Sequence, residues 1–335
     1  VKVLFDHHLP FALAHGGLQG QIEQTMAALN RLGVEAEPVR WWDEKQRGDI
    51  IHFFGRPDRT YIDLAHAKGM KVVVAELHSA LGSRSGAARL AQKSIMRLAQ
   101  AAMPQAFTAK LAWDAYQKAD AFIANTTWES HIIQTMFDAD PARIHVVTNG
   151  IEDVFFRPHV GGTHLVCTAA IHPRKRVLEL AEAAAGAETP LWIVGRPYSD
   201  SDAYYRRFLE VQQANSRWIR YEGAIADREQ LARIYSESRG FVLLSTQETL
   251  SFSALEAAAA GSPLLLADLP WARSAFSGEA NYVSVALAGK PLGVELRKFY
   301  DAANSVPATF RPSPWDEVGA RFAAVYREVL ARPRD

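Results

Sequence analysis

Two carboxylates, Glu248 and Glu256, stand with seven residues between them in the stretch FVLLSTQETLSFSALEAAAAGSPLLLAD, residues 241–268. A carboxylate accepts paired hydrogen bonds from sugar hydroxyls or a ribose diol. Phe241 to Leu244 is a short apolar run bounded by Ser245 and Thr246, the pattern of a buried strand. Ala254 to Ala260 is alanine-rich, includes Leu255, and stops at Gly261, which reads as a helix. Pro263 to Ala267 is the next apolar run, so the unit is strand, loop, helix, strand, and the sheet is expected to be parallel. In open α/β sheets ligands sit outside the carboxyl ends of the strands. Loop N–H groups and a helix N-terminus there favour phosphate. Phosphate donors beside hydroxyl acceptors fit a nucleotide-sugar. The spacing alone equally admits two unrelated glutamates, with Glu256 on a solvated helix face.

A second cluster, His172-Pro173-Arg174-Lys175-Arg176, falls between an expected strand and an expected helix. Cations at a helix N-terminus oppose the macrodipole and call for an anion. An arginine there can hold phosphate bidentately. His78 directly follows the apolar run Lys71–Leu77, so it is a polar side chain at the carboxyl end of a strand. Gly16-Gly17 lies in a loop between Val1–Phe5 and a helical pattern from Gln21 onward, a weaker signal than a full G-x-G-x-x-G. His7, His8 and His15 share that loop, but they lack the helical pairing or cysteine partner of a metal site, and no metal is expected.

Apolar runs alternate with helical patterns along the whole chain. Strands are expected at Val1–Phe5, Glu35–Val39, Ile50–Phe54, Lys71–Leu77, Ala121–Ala124 and Ile144–Thr148 in the first half. In the second half they are expected at His164–Thr168, Leu191–Val194, Trp218–Tyr221, Phe241–Leu244, Leu264–Ala267 and Tyr282–Val285. Such alternation argues α/β architecture with doubly wound parallel sheets. Pro158, Gly161 and Gly162 make a hinge between the halves. The tail from Trp315 to Leu330 carries Val318, Phe322, Val325, Tyr326 and Val329 at helical spacing.

The 335 residues suffice for two domains, and 48% hydrophobic with 22% charged residues is the balance of an ordinary globular chain. Lys+Arg and Asp+Glu are equal at 37 each, which argues against a nucleic-acid partner. The single Cys167 excludes an internal disulfide and a multi-cysteine metal site, and reads as a small buried hydrophobe in a reducing cytoplasm. No apolar run approaches membrane-spanning length. The given sequence opens at Val1 directly in a strand, without a secretory signal.

The stretch around Glu248 and Glu256 resembles the signature of the retaining GT-B glycosyltransferases of family 4 (glycosyltransferase group 1). Their Glu-x7-Glu pair follows a strand and leads into an LEAxAxG helix. Leu255-Glu256-Ala257 and Gly261-Ser262-Pro263 fall in step. Thr249 and Ser251, either side of Leu250, stand where the family usually has glycine. The segment VVTNGIEDVFFRP, with Asn149-Gly150, resembles the family's passage out of its first domain. Lys175 matches the family's lysine. Ala169 and Ala170 occupy its Gly-Arg positions, and Arg174 stands in for the arginine. The resemblance implies the GT-B fold, two Rossmann-like doubly wound domains with an interdomain cleft. An N-terminal acceptor domain would span 1–157 with a crossing helix at 313–335, and a nucleotide-sugar donor domain would span 158–312.

By the same resemblance the protein transfers a sugar from a UDP-, GDP- or ADP-linked donor to a glycan, lipid-linked or small-molecule acceptor. Configuration is retained, and no cofactor is required beyond the donor. Gly16, Gly17, Arg174, Lys175, Glu248, Thr249, Leu250, Ser251 and Glu256 would bind the donor. His78, Arg174, Lys175 and Glu248 would carry catalysis, with Glu256 on the ribose. The alternatives are a sugar-nucleotide-binding or scaffold protein without transfer, or another GT-B enzyme such as an epimerase or phosphorylase.

Arg89, Lys93 and Arg97 are spaced by four, with Arg84 and Lys110 extending the basic stretch and no acid between Glu76 and Asp114. Leu90, Ile95 and Leu98 are interleaved, the composition of a surface-seeking amphipathic helix. This predicts an anionic acceptor or peripheral contact at the inner face of a membrane. A solvated domain helix is the plainer reading of the same spacing.

Overall fold

A computed structural model describes residues 1–8, 10–12, 17–103, 111–303 and 310–333. The chain forms two compact units, Val1–Gly150 with Ser313–Asp335, and Ile151–Pro312.

The first unit holds a parallel sheet of six strands: β1 Lys2–His7, β2 Glu35–Pro38, β3 Ile50–Phe54, β4 Lys71–Ala75, β5 Ala121–Ala124 and β6 Ile144–Val146. Their order is β2-β1-β3-β4-β5-β6. Every residue of β3, β4 and β5 is buried, including the polar His52 and Lys71. That follows from helices covering both faces of a parallel sheet, which removes the in–out alternation. Lys71 is tolerated because its ammonium pairs with Asp120 at 2.9 Å. The C-terminal helix Trp315–Ala331 packs on the helix Gly17–Arg31 of this unit. Gly319 permits the approach, since a Cβ there would come within 2.9 Å of the Ala28 Cβ. Tyr326 reaches the buried His52, whose Nδ1 lies 2.7 Å from the phenol oxygen.

The second unit holds β7 Leu165–Thr168, β8 Leu191–Val194, β9 Ile219–Tyr221, β10 Gly240–Leu243, β11 Leu264–Ala267 and β12 Asn281–Val283. They are again all parallel, in the order β12-β11-β10-β7-β8-β9. All twelve stretches expected to be strands overlap one, with β1, β10 and β12 offset by one or two residues from the expected bounds. The passage between units falls at Gly150–Ile151, ahead of the break drawn at 157. Ile151 and Phe155 lie in the second unit's core, and this binds the start of the linker to it. Among the described residues no helix is long and apolar enough to cross a membrane.

Candidate functional site

In the second sheet, β7, β8 and β9 run outward on one side and β10, β11 and β12 on the other, so the order reverses between β7 and β10. The loops after those two strands flank the point where such folds take ligands. They carry the basic cluster and the first glutamate. Pro173–Lys175 forms a single 3-10 turn, opened by His172, whose Nδ1 accepts the Arg174 N–H at 3.2 Å. Arg176 follows in the left-handed conformation at φ 55°. Its guanidinium donates to the carbonyls of Val285 at 2.8 Å and Leu287 at 2.7 Å, so Arg176 fastens the loop and is not offered to a ligand.

The two loops are stitched together. The Arg174 carbonyl accepts from the Thr246 N–H at 2.9 Å and from the Thr246 hydroxyl at 3.2 Å. Lys175 Nζ bonds Glu248 Oε1, and Arg174 Nη1 lies 3.5 Å from the same oxygen. Three charges expected from two separate motifs thus converge. Ser251 caps the helix Phe252–Ala259, its hydroxyl accepting the Ala254 N–H at 3.3 Å, a task a glycine could not perform. Leu250 is buried beneath the loop and Thr249 is half-buried.

Glu256 is not on a solvated face. It is buried, its Oε1 accepting from Arg228 Nη2 at 2.7 Å and its Oε2 from the Tyr235 hydroxyl at 3.2 Å. Arg228 also bonds Glu152 at 2.6 Å and lies 4.5 Å above the Phe155 ring. Burial pushes the Glu256 carboxyl above the usual carboxylate range, with Arg228 pulling against it. Arg228, Tyr235 and Glu152 escaped the sequence reading. Arg228 carried the signal used for residues 174–176, a cation in the first turn of a helix, Arg228–Ser236. Cys167 is buried, and burial pushes its thiol up to about 12. It is an inert part of the core.

In the first sheet the order reverses between β1 and β3. Gly17 opens the helix Gly17–Arg31, while Gly16 and His15 lie outside the described residues. Gly55, at φ 127°, follows β3, where a Cβ would come within 2.8 Å of the His8 ring. Among the described residues no three His, Cys, Asp or Glu side chains gather as a metal site would require.

His78 follows β4 as expected, but its side chain is buried. Its Nε2 lies 3.0 Å from the Tyr116 hydroxyl, which donates to Glu76. Glu76 is held bidentately by Arg56 at 2.7 and 2.8 Å. Arg56 in turn lies 4.6 Å from the Phe137 ring centre. Burial pushes His78 down to about 4 against the pull of Glu76, so the imidazole is neutral at pH 7. Glu129 anchors the backbone on both sides of this cluster. Its Oε1 accepts the His78 N–H at 2.9 Å and its Oε2 the Asn125 N–H at 2.7 Å. Burial raises the Glu129 carboxyl to about 7. The sequence signal for Glu129 was the capping-box spacing from Thr126, whose hydroxyl accepts the Glu129 N–H at 3.2 Å.

Arg89, Lys93 and Arg97 lie on one helix, Gly86–Ala102, as their spacing predicts. The expectation that no acid balances them is corrected. Lys93 pairs with Asp138 at 2.5 Å and Arg97 with the same carboxylate at 3.1 Å. Asp138 ends the neighbouring helix Thr127–Phe137, a partner that counting acids along the chain could not reveal. Arg89 lies 4.7 Å from the Trp128 ring centre. Leu90, Ile95 and Leu98 are exposed on this helix. Lys110 lies outside the described residues.

Two family models match the chain: Glycosyltransferase Family 4 over residues 21–154 and Glycosyl transferases group 1 over residues 162–287. The D-inositol 3-phosphate glycosyltransferase of Jonesia denitrificans is 27% identical over 178 residues, 46% of this chain and 42% of the relative. The enzyme of the same name from Rhodococcus erythropolis is 28% identical over 174 residues, 45% and 39% of the two chains. These matches span less than half the length of those relatives. Among solved structures, Anabaena HepE in complex with UDP superposes with a TM-score of 0.71 at 13% identity, covering 98% of this chain and 100% of that one. Sucrose-phosphate synthase from Thermosynechococcus elongatus gives 0.72 at 15% identity, covering 99% and 100%. These likenesses establish the fold, two Rossmann-like units of the GT-B type.

Proposed function

The chain belongs to the group 1 and family 4 glycosyltransferases, and we propose that it transfers a hexosyl group from a nucleotide-sugar to an acceptor with retention of configuration. The observation that carries this reading is the convergence of Arg174, Lys175 and Glu248 at the strand-order reversal of the second sheet. Without ligand the two cations neutralise Glu248. A bound diphosphate would draw them off, freeing the carboxylate to orient the donor sugar. Paired cations beside loop N–H groups stabilise charge developing on a diphosphate leaving group without a metal. In this reading the second unit takes the donor, with Glu256 on the ribose. Neighbours of the same fold are solved with UDP and with UDP-glucose, which makes a uridine-linked donor the first to test.

The first unit would hold the acceptor, with His78 at the reacting face. The relatives named for inositol 3-phosphate favour a small anionic acceptor. For a lipid-linked acceptor the support is the exposed Leu90, Ile95 and Leu98, since Asp138 already occupies Lys93 and Arg97. The lone buried Cys167 suits the cytoplasm, where the inner membrane face would be in reach. The test is release of UDP from UDP-glucose with and without candidate acceptors. Acceptor-dependent release supports transfer, whereas binding without release in any mixture favours the binding-protein alternative.

A further inference from the structure

We infer that Arg228 is a positioning residue for the nucleotide ribose, acting through Glu256. This rests on the reading of Glu256 as the ribose acceptor. Glu256 is buried, so its charge needs a permanent partner, and an uncompensated carboxylate there would take up a proton. The groups facing it are Arg228 at 2.7 Å, the Tyr235 hydroxyl at 3.2 Å and, through Arg228, Glu152. Arg228 is therefore the one cation facing the carboxylate among these groups. A ribose diol donates two O–H groups, and only an ionised carboxylate accepts both without presenting a proton of its own. Arg228 thus supplies two conditions together, the charge and the orientation.

Its own placement is over-determined. The guanidinium is gripped by two carboxylates and lies over the Phe155 ring. Asp227 caps its helix by accepting the Glu229 and Gln230 N–H groups. Glu152 follows Gly150 in the segment where the chain enters this unit, so Arg228 also ties that entry to the ribose carboxylate. A cation in the first turn of a helix is disfavoured by the macrodipole. Its presence here is accounted for by the carboxylates it serves.

The test compares the binding of UDP with that of its 2′,3′-dideoxy analogue by calorimetry, for the intact chain and for E256Q, R228M and R228K, at about pH 8 and about pH 6. Arg228→Met is expected to weaken UDP about tenfold or more while leaving the dideoxy analogue unchanged. The loss relative to wild type should be larger at the lower pH, and Arg228→Lys should recover most of it. Taking each variant as a ratio to wild type cancels the titration of the diphosphate itself. The R228M/E256Q double variant removes the cation together with the charge it compensates, so it keeps the unit folded, and it should match E256Q alone. If E256Q binds both ligands as wild type does, the ribose reading of Glu256 falls and this inference with it. If E256Q loses the discrimination but R228M keeps it with an unaltered pH profile, the inference alone is overturned.

Discussion

The carboxyl ends of the two sheets handle charge in opposite ways. In the first unit, Arg56, Glu76, Tyr116 and His78 form a closed network whose members are each other's partners. In the second, Arg174, Lys175 and Glu248 meet between two loops. Both ion pairs are partly exposed. Glu76, however, takes two bonds from Arg56 and a third from the buried Tyr116. Lys175 and Arg174 both meet Glu248 at one oxygen, Oε1, so a ligand has fewer bonds to displace there. The first arrangement is suited to holding a shape and the second to binding and releasing an anion.

The sharpest way to break that contrast is to remove both exchangeable cations. Arg174 and Lys175 replaced together by alanine should weaken UDP by about 10²- to 10⁴-fold, taking roughly 1.5–3 kcal/mol for each charge-assisted bond. Uridine, lacking the diphosphate, should bind as it does to wild type. Equal losses for the two ligands in calorimetry would make these residues structural, like Arg176.

The closed network is tested through Glu129. Its folded value of about 7 lies above the ordinary 4.5. An acid shifted this way stabilises the fold fully below its unfolded value and loses that contribution as pH rises through about 7. The first unit should therefore melt at lower temperature at pH 8 than at pH 5.5, by a contribution on the order of 2 kcal/mol. Glu129→Gln should flatten that difference while lowering stability at the acid end, because one of the two N–H groups then faces an amide donor. A variant with the same slope as wild type would show that Glu129 does not carry it.

How much of this was legible beforehand divides along the same line. The strands were readable because parallel strands covered on both faces leave continuous apolar runs, such as KVVVA at β4. The Arg174, Lys175 and Glu248 loops were readable because charged residues between a strand and a helix have few structural reasons to be there. Arg56, Glu76 and Tyr116 were not, because a closed network is made by side chains distant in sequence meeting in three dimensions. Asp138 shows the same limit. The basic stripe of Gly86–Ala102 is visible in the chain, and its counter-charge belongs to another helix. Glu256 was placed correctly on its helix, but its burial depends on Arg228, some thirty residues away.

A smaller effect separates the exchangeable acid from its cations. Glu248→Ala frees Arg174 and Lys175, so UDP affinity should hold or rise, while transfer falls by roughly 10- to 100-fold for the loss of about 1.5–3 kcal/mol of charged hydrogen bonding to the sugar. Weaker UDP binding in Glu248→Ala would instead mean that the carboxylate organises the loop.

The smallest expected effect belongs to His78, and it decides whether the first unit's network is only a frame. The ring is buried beside Phe137, at 5.4 Å between centroids, and its Nε2 is committed to Tyr116. Burial holds it neutral above about pH 4. A neutral, fixed imidazole can still present a hydrogen-bonding edge or shape the floor of a sugar site, but it cannot act as a titrating base between pH 6 and 8. His78→Ala should thus lower the transfer rate by about tenfold, which corresponds to 1.36 kcal/mol of barrier, and leave UDP affinity intact. The pH–rate profile should keep its shape between pH 6 and 8 and shift downward as a whole. The measurement belongs well below the melting temperature, because the vacated ring leaves a cavity that itself costs stability. An inflection near the ordinary histidine value that is present in wild type and absent from the variant would show that His78 titrates during turnover. That result would place it with the exchangeable charges of the second unit, and the contrast between the two sheet ends would fail at this residue.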